Sequence, residues 1–321
     1  MPPSHAELYA RALLIAVLAL GTATRGTAQS LVAEPVPAPG ISAFTFASPS
    51  MGETYEVIVG TVFGNGASGS RRYPALIVTD GYGQFETAHA AARSLVSSGA
   101  IEPMLVIGIG APVVQGDDAR DRRRVYEFSP PGWAMTDAFG QSVTLFCARM
   151  HSAAGRCTGG APAFLGMIVH ELLPRLVERL PIDTTRLGLY GLSAGGFFAA
   201  WVMFQEMSPF HKYIISSPAL AYGDGEIFRQ ETRWATSHKD LRVGVFMAAG
   251  TLEMDDAQYE LLGQIGSGPL RLSAALKQRH YPGLRLLTEI LPGLGHGDGA
   301  GTALVRGLRT LYARDSGATA R

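Results

Sequence analysis

The stretch 187–201, LGLYGLSAGGFFAAW, constrains the chain more than any other. A short apolar run, Leu187, Leu189 and Tyr190, meets Gly191-Leu192-Ser193-Ala194-Gly195, and an almost wholly apolar segment follows. A strand that turns sharply into a helix with serine at the corner is the context in which a G-x-S-x-G pattern carries a nucleophile. The glycines have a steric reason. A serine held on such a turn projects its hydroxyl outward, and side chains at the flanking positions would meet neighbouring backbone. The start of the following helix also aims backbone amides and a positive dipole end at the hydroxyl. The alternative is an ordinary Gly-Ser-rich turn of the kind any α/β fold contains.

Away from this corner the chain alternates strand-like and helix-like segments. Strands are expected over 55–62, 73–79, 104–110, 186–190, 213–217, 243–249 and 285–291, and helices over 85–97, 163–180, 194–207, 226–237, 270–279 and 302–313. Ala75-Leu76-Ile77-Val78 and Val243-Gly244-Val245-Phe246-Met247 are continuous apolar runs, as required of parallel strands covered on both faces. Leu165, Ile168, Val169, Leu172, Leu173, Leu176, Val177 and Leu180 make a wide helical stripe, which Pro174 should bend. The expected fold is α/β: an α/β-hydrolase-type doubly wound, mostly parallel sheet with helices on both faces.

The N-terminus reads as an export signal over residues 1–28. His5 and Arg11 precede the apolar core 12–20, which is too short to span a bilayer, and Gly26-Thr27-Ala28 offers small residues for cleavage. A periplasmic or secreted location follows; a buried N-terminal helix is the alternative. Residues 29–40 are rich in Pro and Ala and read as a linker, leaving 41–321 as a single domain. Apolar content of 47% is ample for a two-sided core, and the 27 basic and 27 acidic residues cancel. That balance favours neither nucleic acid nor a stable membrane partner after signal removal. Gly108 and Gly110 lack the third glycine and following helix of a dinucleotide fingerprint. No metal or organic cofactor is expected.

In an α/β-hydrolase order the acid and then the histidine follow the serine along the chain. His280 and His296 lie far enough along, and His280 closes a helix-like segment, where a structural role is expected. His296 sits between glycines just after the last strand, free to reach Ser193. The acid should follow the penultimate strand, where Glu253, Asp255 and Asp256 all qualify. Asp255 and Asp256 also suit helix capping or first-turn charge, so Glu253 is preferred. One oxyanion donor is the amide of Ala194, and the other should come from the Asp80-Gly81-Tyr82-Gly83-Gln84 loop.

These residues carry a family resemblance. PALIVTDG (74–81), RVYEFSP (124–130), GGAPAFLGMIVHELL (159–173), the elbow, YIISSPALAYGD (213–224), Gly250 to Glu253 and His296 occur in a telling order. It resembles the esterase branch of the α/β-hydrolase superfamily that includes enzymes opening trilactone siderophores of the enterobactin type, with esterase D and the mycolyltransferases more distant. The resemblance covers about 41–312 and implies Ser193 as nucleophile, His296 as base, Glu253 as acid and the amide of Tyr82 as second oxyanion donor. Some relatives use a Ser–His pair without an acid.

The expectation is an exported serine esterase acting through an acyl-enzyme on a small-molecule ester, a siderophore above all. A carbohydrate-ester (acetyl or feruloyl) esterase and a non-catalytic binding protein are the alternatives. Arg122, Arg123 and Arg124 offer a hold for an anionic or catechol group, with Arg124 the candidate; a solvated charged face is the other reading. The chain departs from the family pattern at about 131–158, which contains both cysteines, Cys147 and Cys157. Between them lie small residues without clear period, a loop able to close a disulfide in an oxidising compartment.

Overall fold

The computed structural model describes residues 40–63, 71–132, 136–150 and 157–314. The export segment, the linker up to residue 39 and parts of the insertion lie outside these residues. Among the described residues one sheet runs in the order β1-β2-β4-β3-β5-β6-β7-β8. Its strands are β1 (Ile41–Ser48), β2 (Glu53–Val62), β3 (Tyr73–Val78), β4 (Met104–Gly110), β5 (Ile182–Leu192), β6 (Lys212–Ser216), β7 (Gly244–Gly250) and β8 (Arg285–Leu291). β2 is antiparallel to both of its neighbours, and β4 through β8 pair in parallel.

The helices are α1 (Gly81–Ser97), α2 (Asp117–Phe128), α3 (Ala138–Arg149), α4 (Ala161–Met167), α5 (Leu173–Arg179), α6 (Ala194–Val202), α7 (Tyr222–Ser237), α8 (Thr251–Asp255), α9 (Ala257–Gly263), α10 (Ser267–Gln278) and α11 (Asp298–Tyr312). Side chains that alternate along the strands sort into two cores. Ala75, Ile77, Leu187, Leu189, Val245 and Met247 face one, with Phe164, Leu165, Phe198 and Trp201 packed over them. Leu76, Val78, Tyr190, Phe246 and Ala248 face the other, under Phe85, Leu95, Leu304 and Leu308. Period-two alternation with apolar residues at both phases is why these strands read as unbroken apolar runs.

The structure differs from the sequence expectations in places that have physical reasons. β1 is an edge strand, largely exposed, so its apolar signal is weak. The stripe around Pro174 is not one continuous α-helix. A π-helical segment, Ile168–Leu172, joins α4 to α5, and the wider turn accommodates the carbonyl that Pro174 cannot serve. α1 begins at Gly81 rather than residue 85, which turns the oxyanion loop into a helix's first turn. The arginine run lies on α2, and much of the insertion is the helix α3 rather than loop.

Cys147, in the last turn of α3, is disulfide-bonded to Cys157, with Cα atoms 5.8 Å apart. That separation is ordinary for a bridge. At the other end of α3 the Asp137 carboxylate accepts the Gly140 amide at 2.7 Å and caps the helix. Thiol titration of the denatured, unreduced protein is expected to find no free thiol. The Cys147→Ser/Cys157→Ser double variant is expected to lose about 2–3 kcal/mol in urea unfolding, the chain-entropy value for a loop of this length. Two titratable thiols would contradict the bridge.

Candidate active site

The elbow is built as its glycines require. Ser193 has φ 59° and ψ −117°, a conformation that a non-glycine residue holds only when its surroundings enforce it. The enforcement is visible: the Ser193 amide donates to Ser216 O at 3.0 Å, and its carbonyl accepts from Phe197 and Ala219. A Cβ at Gly191 would lie 2.0 Å from Gly195 O, and one at Gly195 would lie 2.5 Å from Thr79 Oγ1. A side chain at Gly191 would force the elbow itself open, and one at Gly195 would push it off Thr79. Ser193 therefore stands at the carboxyl edge of β5, at the head of α6, whose first amide is that of Ala194.

Glu253 and His296 meet at the same edge of the sheet. The His296 Nδ1 lies 2.6 Å from Glu253 Oε1. The Glu253 carboxylate has no solvent exposure, and its second oxygen accepts the Gly250 amide at 2.6 Å and the Ser217 hydroxyl at 2.9 Å. Asp255 and Asp256 are exposed, and Asp256 caps α9 through the amides of Gln258 and Tyr259. Tyr259 stacks on the His296 imidazole, centroids 4.7 Å apart. His280 sits exposed in the turn after α10, away from these contacts in the chain of hydrogen bonds. Ser217 and Tyr259 were not singled out from the sequence; Ser217, between the apolar end of β6 and Pro218, had a positional signal, and Tyr259 had none.

The second turn, from β3 into α1, abuts the elbow. Asp80 has φ 53°, and Gly81 lies so close to β4 that a Cβ there would sit 2.6 Å from the Ile109 amide. The Gly83 and Gln84 amides return to Asp80 O, which leaves Tyr82 among the donors that a helix start cannot pair internally. The amides of Tyr82 and Ala194 thus lie in the first turns of helices that follow the adjacent strands β3 and β5.

Arg124, the expected substrate hold, lines the cleft beside Ala194 and is also paired within the protein. Its Nε donates to both oxygens of Asp80, each at 2.9 Å. Burial raises the Asp80 carboxyl above the usual range, and Arg124 pulls against it. The Arg124 Nε is thereby tied to Asp80, while the side chain stays 27% exposed at the cleft. Arg123 is similarly occupied, bonded to the buried Glu127, which also accepts the Tyr55 hydroxyl. Arg122 is exposed, Arg124 partly so and Arg123 buried.

No family model matches the chain. It is 29% identical over 190 residues to a siderophore triacetylfusarinine C esterase of Aspergillus fumigatus, a match spanning 58% of each chain. It superposes on the BES protein from Bacillus cereus with a TM-score of 0.72 at 22% identity, covering 89% of this chain and 99% of that one. Siderophore hydrolase EstB from Aspergillus nidulans gives a TM-score of 0.71 at 21% identity, covering 88% and 98%. Both superpositions establish the α/β-hydrolase fold.

Removing Arg124 would leave the buried Asp80 carboxylate unpaired, which is costlier than losing a surface ion pair. Arg124→Met is expected to lower stability to urea by about 3 kcal/mol, the low end of the range for a broken buried pair, because Arg124 is 27% exposed. Arg122→Met should change it little; equal effects would show that the Asp80 contact is dispensable.

Proposed function

We propose that this chain, an α/β hydrolase of the branch that includes trilactone siderophore esterases, is an exported serine esterase that cleaves carboxylic esters through an acyl-enzyme. The observation that carries the reading is the His296–Glu253 contact of 2.6 Å at the sheet edge where Ser193 occupies its strained corner. A buried carboxylate bonded to Nδ1 fixes the tautomer that leaves Nε2 as the base and stabilises the imidazolium that forms.

The steps follow from this arrangement. Ser193 Oγ attacks the ester carbonyl while His296 Nε2 takes its proton. The carbonyl π electrons move onto oxygen, where the amides of Ala194 and Tyr82 receive the negative charge. Collapse breaks the bond to the leaving oxygen, which takes the proton from His296 and departs as the alcohol. Water, deprotonated by His296, then attacks the acyl carbonyl; the Ser193–acyl bond breaks, the proton returns to Ser193, and the carboxylic acid leaves. For substrate, the siderophore esterase among the sequence relatives favours a trilactone siderophore. The apolar segment with small residues at 1–28 supports export to the periplasm or beyond.

Ser193→Ala is expected to lower kcat by about 10⁴–10⁶ with unchanged circular dichroism, since one hydroxyl is removed from a turn that the backbone already holds. Hydrolysis at the original rate would refute the nucleophile. Glu253→Gln should lower kcat by about 10²–10⁴, far beyond Asp255→Asn or Asp256→Asn. Small, equal losses from all three would mean that a Ser–His pair works without an acid. Ferric and iron-free trilactones, assayed beside aryl esters and acetyl and feruloyl sugars, test the substrate; preference for the sugars would redirect it.

A further inference from the structure

Helix α3 lies in the segment where the chain departs from its relatives, and it forms one wall of a cleft beside Ala194. Phe139 and Val143, one turn apart on α3, face Phe128, Phe197 and Tyr222 across it. The Phe139 ring meets Tyr222 edge-on, centroids 5.7 Å apart, and Tyr222 packs against Phe197 at 5.1 Å. The cleft is small, about 40 Å³, and a bulky group entering it meets Phe139 and Val143. The cleft's exposed lining is mostly apolar, with Arg124 and Ser129 also at its border, so an apolar group entering it gains by burial.

The wall is also fixed in place. Gly223, Asp224 and Gly225 are three successive left-handed residues within α7, and the turn they make presents the Asp224 carboxylate to the start of α3. Asp224 Oδ1 accepts the Asp137 amide at 2.9 Å, and Oδ2 accepts the Thr136 hydroxyl at 2.6 Å. Arg229 holds the same turn by donating to the Gly223 and Asp224 carbonyls. The opposite end of α3 is tied by the Cys147–Cys157 bridge. With both ends held, α3 cannot swing away from the cleft without losing one of these ties.

We propose that α3 is the specificity wall of the site: Phe139 and Val143 restrict the subsite beside Ser193 to a short apolar group on the ester carbonyl, and Asp224 with the disulfide holds that width. The inference rests on the esterase reading of Ser193. A large substrate inserts only the carbon segment next to its scissile carbonyl and keeps the remainder in the open mouth.

The test is a series of 4-nitrophenyl esters (acetate, butyrate, octanoate and benzoate) with the intact, oxidised protein. The unsubstituted enzyme is expected to prefer acetate and butyrate to octanoate and benzoate by about tenfold or more in kcat/KM, the scale on which pockets discriminate by size. Phe139→Ala should raise benzoate and octanoate relative to acetate by a similar factor, and Val143→Ala should move the ratio in the same direction. Asp224→Ala should widen acceptance less, through a loosened wall. Leu145→Ala, on the outer face of α3 where Leu145 is 60% exposed, should leave the ratio unchanged. Circular dichroism and thiol titration establish that each variant is folded and bridged. A ratio insensitive to both Phe139→Ala and Val143→Ala in an enzyme that turns over these esters would overturn the wall alone. Absence of turnover by the unsubstituted enzyme would overturn the esterase reading, and the wall with it.

Discussion

A carboxylate without solvent exposure must be paired or surrender its charge, and Glu253 has every side of its carboxylate engaged. The Gly250 amide anchors it to the end of β7, Ser217 reaches it from the end of β6, and His296 comes to it from the loop after β8. Three separate segments are thus fastened at one group. Gly250 shows how tightly: a Cβ there would lie 1.9 Å from Leu294 O, so the histidine loop rests directly on the end of β7. Loss of the carboxylate would therefore release the imidazole and orphan a hydroxyl and an amide together.

The same edge distributes its strain in a regular way. Asp80, Ser193 and Ser217 all have positive φ, at 53°, 59° and 43°, and they follow β3, β5 and β6, which are adjacent in the sheet. Each corner is latched to the next strand: Thr79 N to Tyr190 O, Ser193 N to Ser216 O, and Ser217 N to Ala248 O. A corner that would open alone is held by its neighbour's ladder, which is how a sheet can maintain unfavourable backbone conformations where chemistry is done. Asp80 before Tyr82, Ser193, and Ser217, which bonds Glu253, stand on three repeats of one device.

What could be read beforehand follows the same physics. β3 and β7 were legible because strands buried on both faces leave unbroken apolar runs, and Ser193 was legible because its glycines have no alternative there. β1 and α2 were not: the first is a solvated edge, and Asp117 to Arg124 reads as charge rather than helix, although Asp117 and Asp118 suit a helix's first turn. Choosing Glu253 over Asp255 and Asp256 from sequence rested on the capping chemistry of the two aspartates, whereas its burial and its bond to His296 are tertiary. Arg124 shows the limit most clearly: its partner Asp80 lies 44 residues earlier, a pairing no local pattern reveals.

The account turns on Ser193 being the atom that becomes acylated. Incubation with an alkyl fluorophosphonate, followed by digestion and mass spectrometry, reads this without reference to the natural substrate. A single phosphonyl adduct is predicted on the peptide containing Ser193, formed far more slowly in the His296→Ala variant because the base is missing. An adduct on another serine, or full esterase activity in protein that carries the adduct at Ser193, would contradict the account.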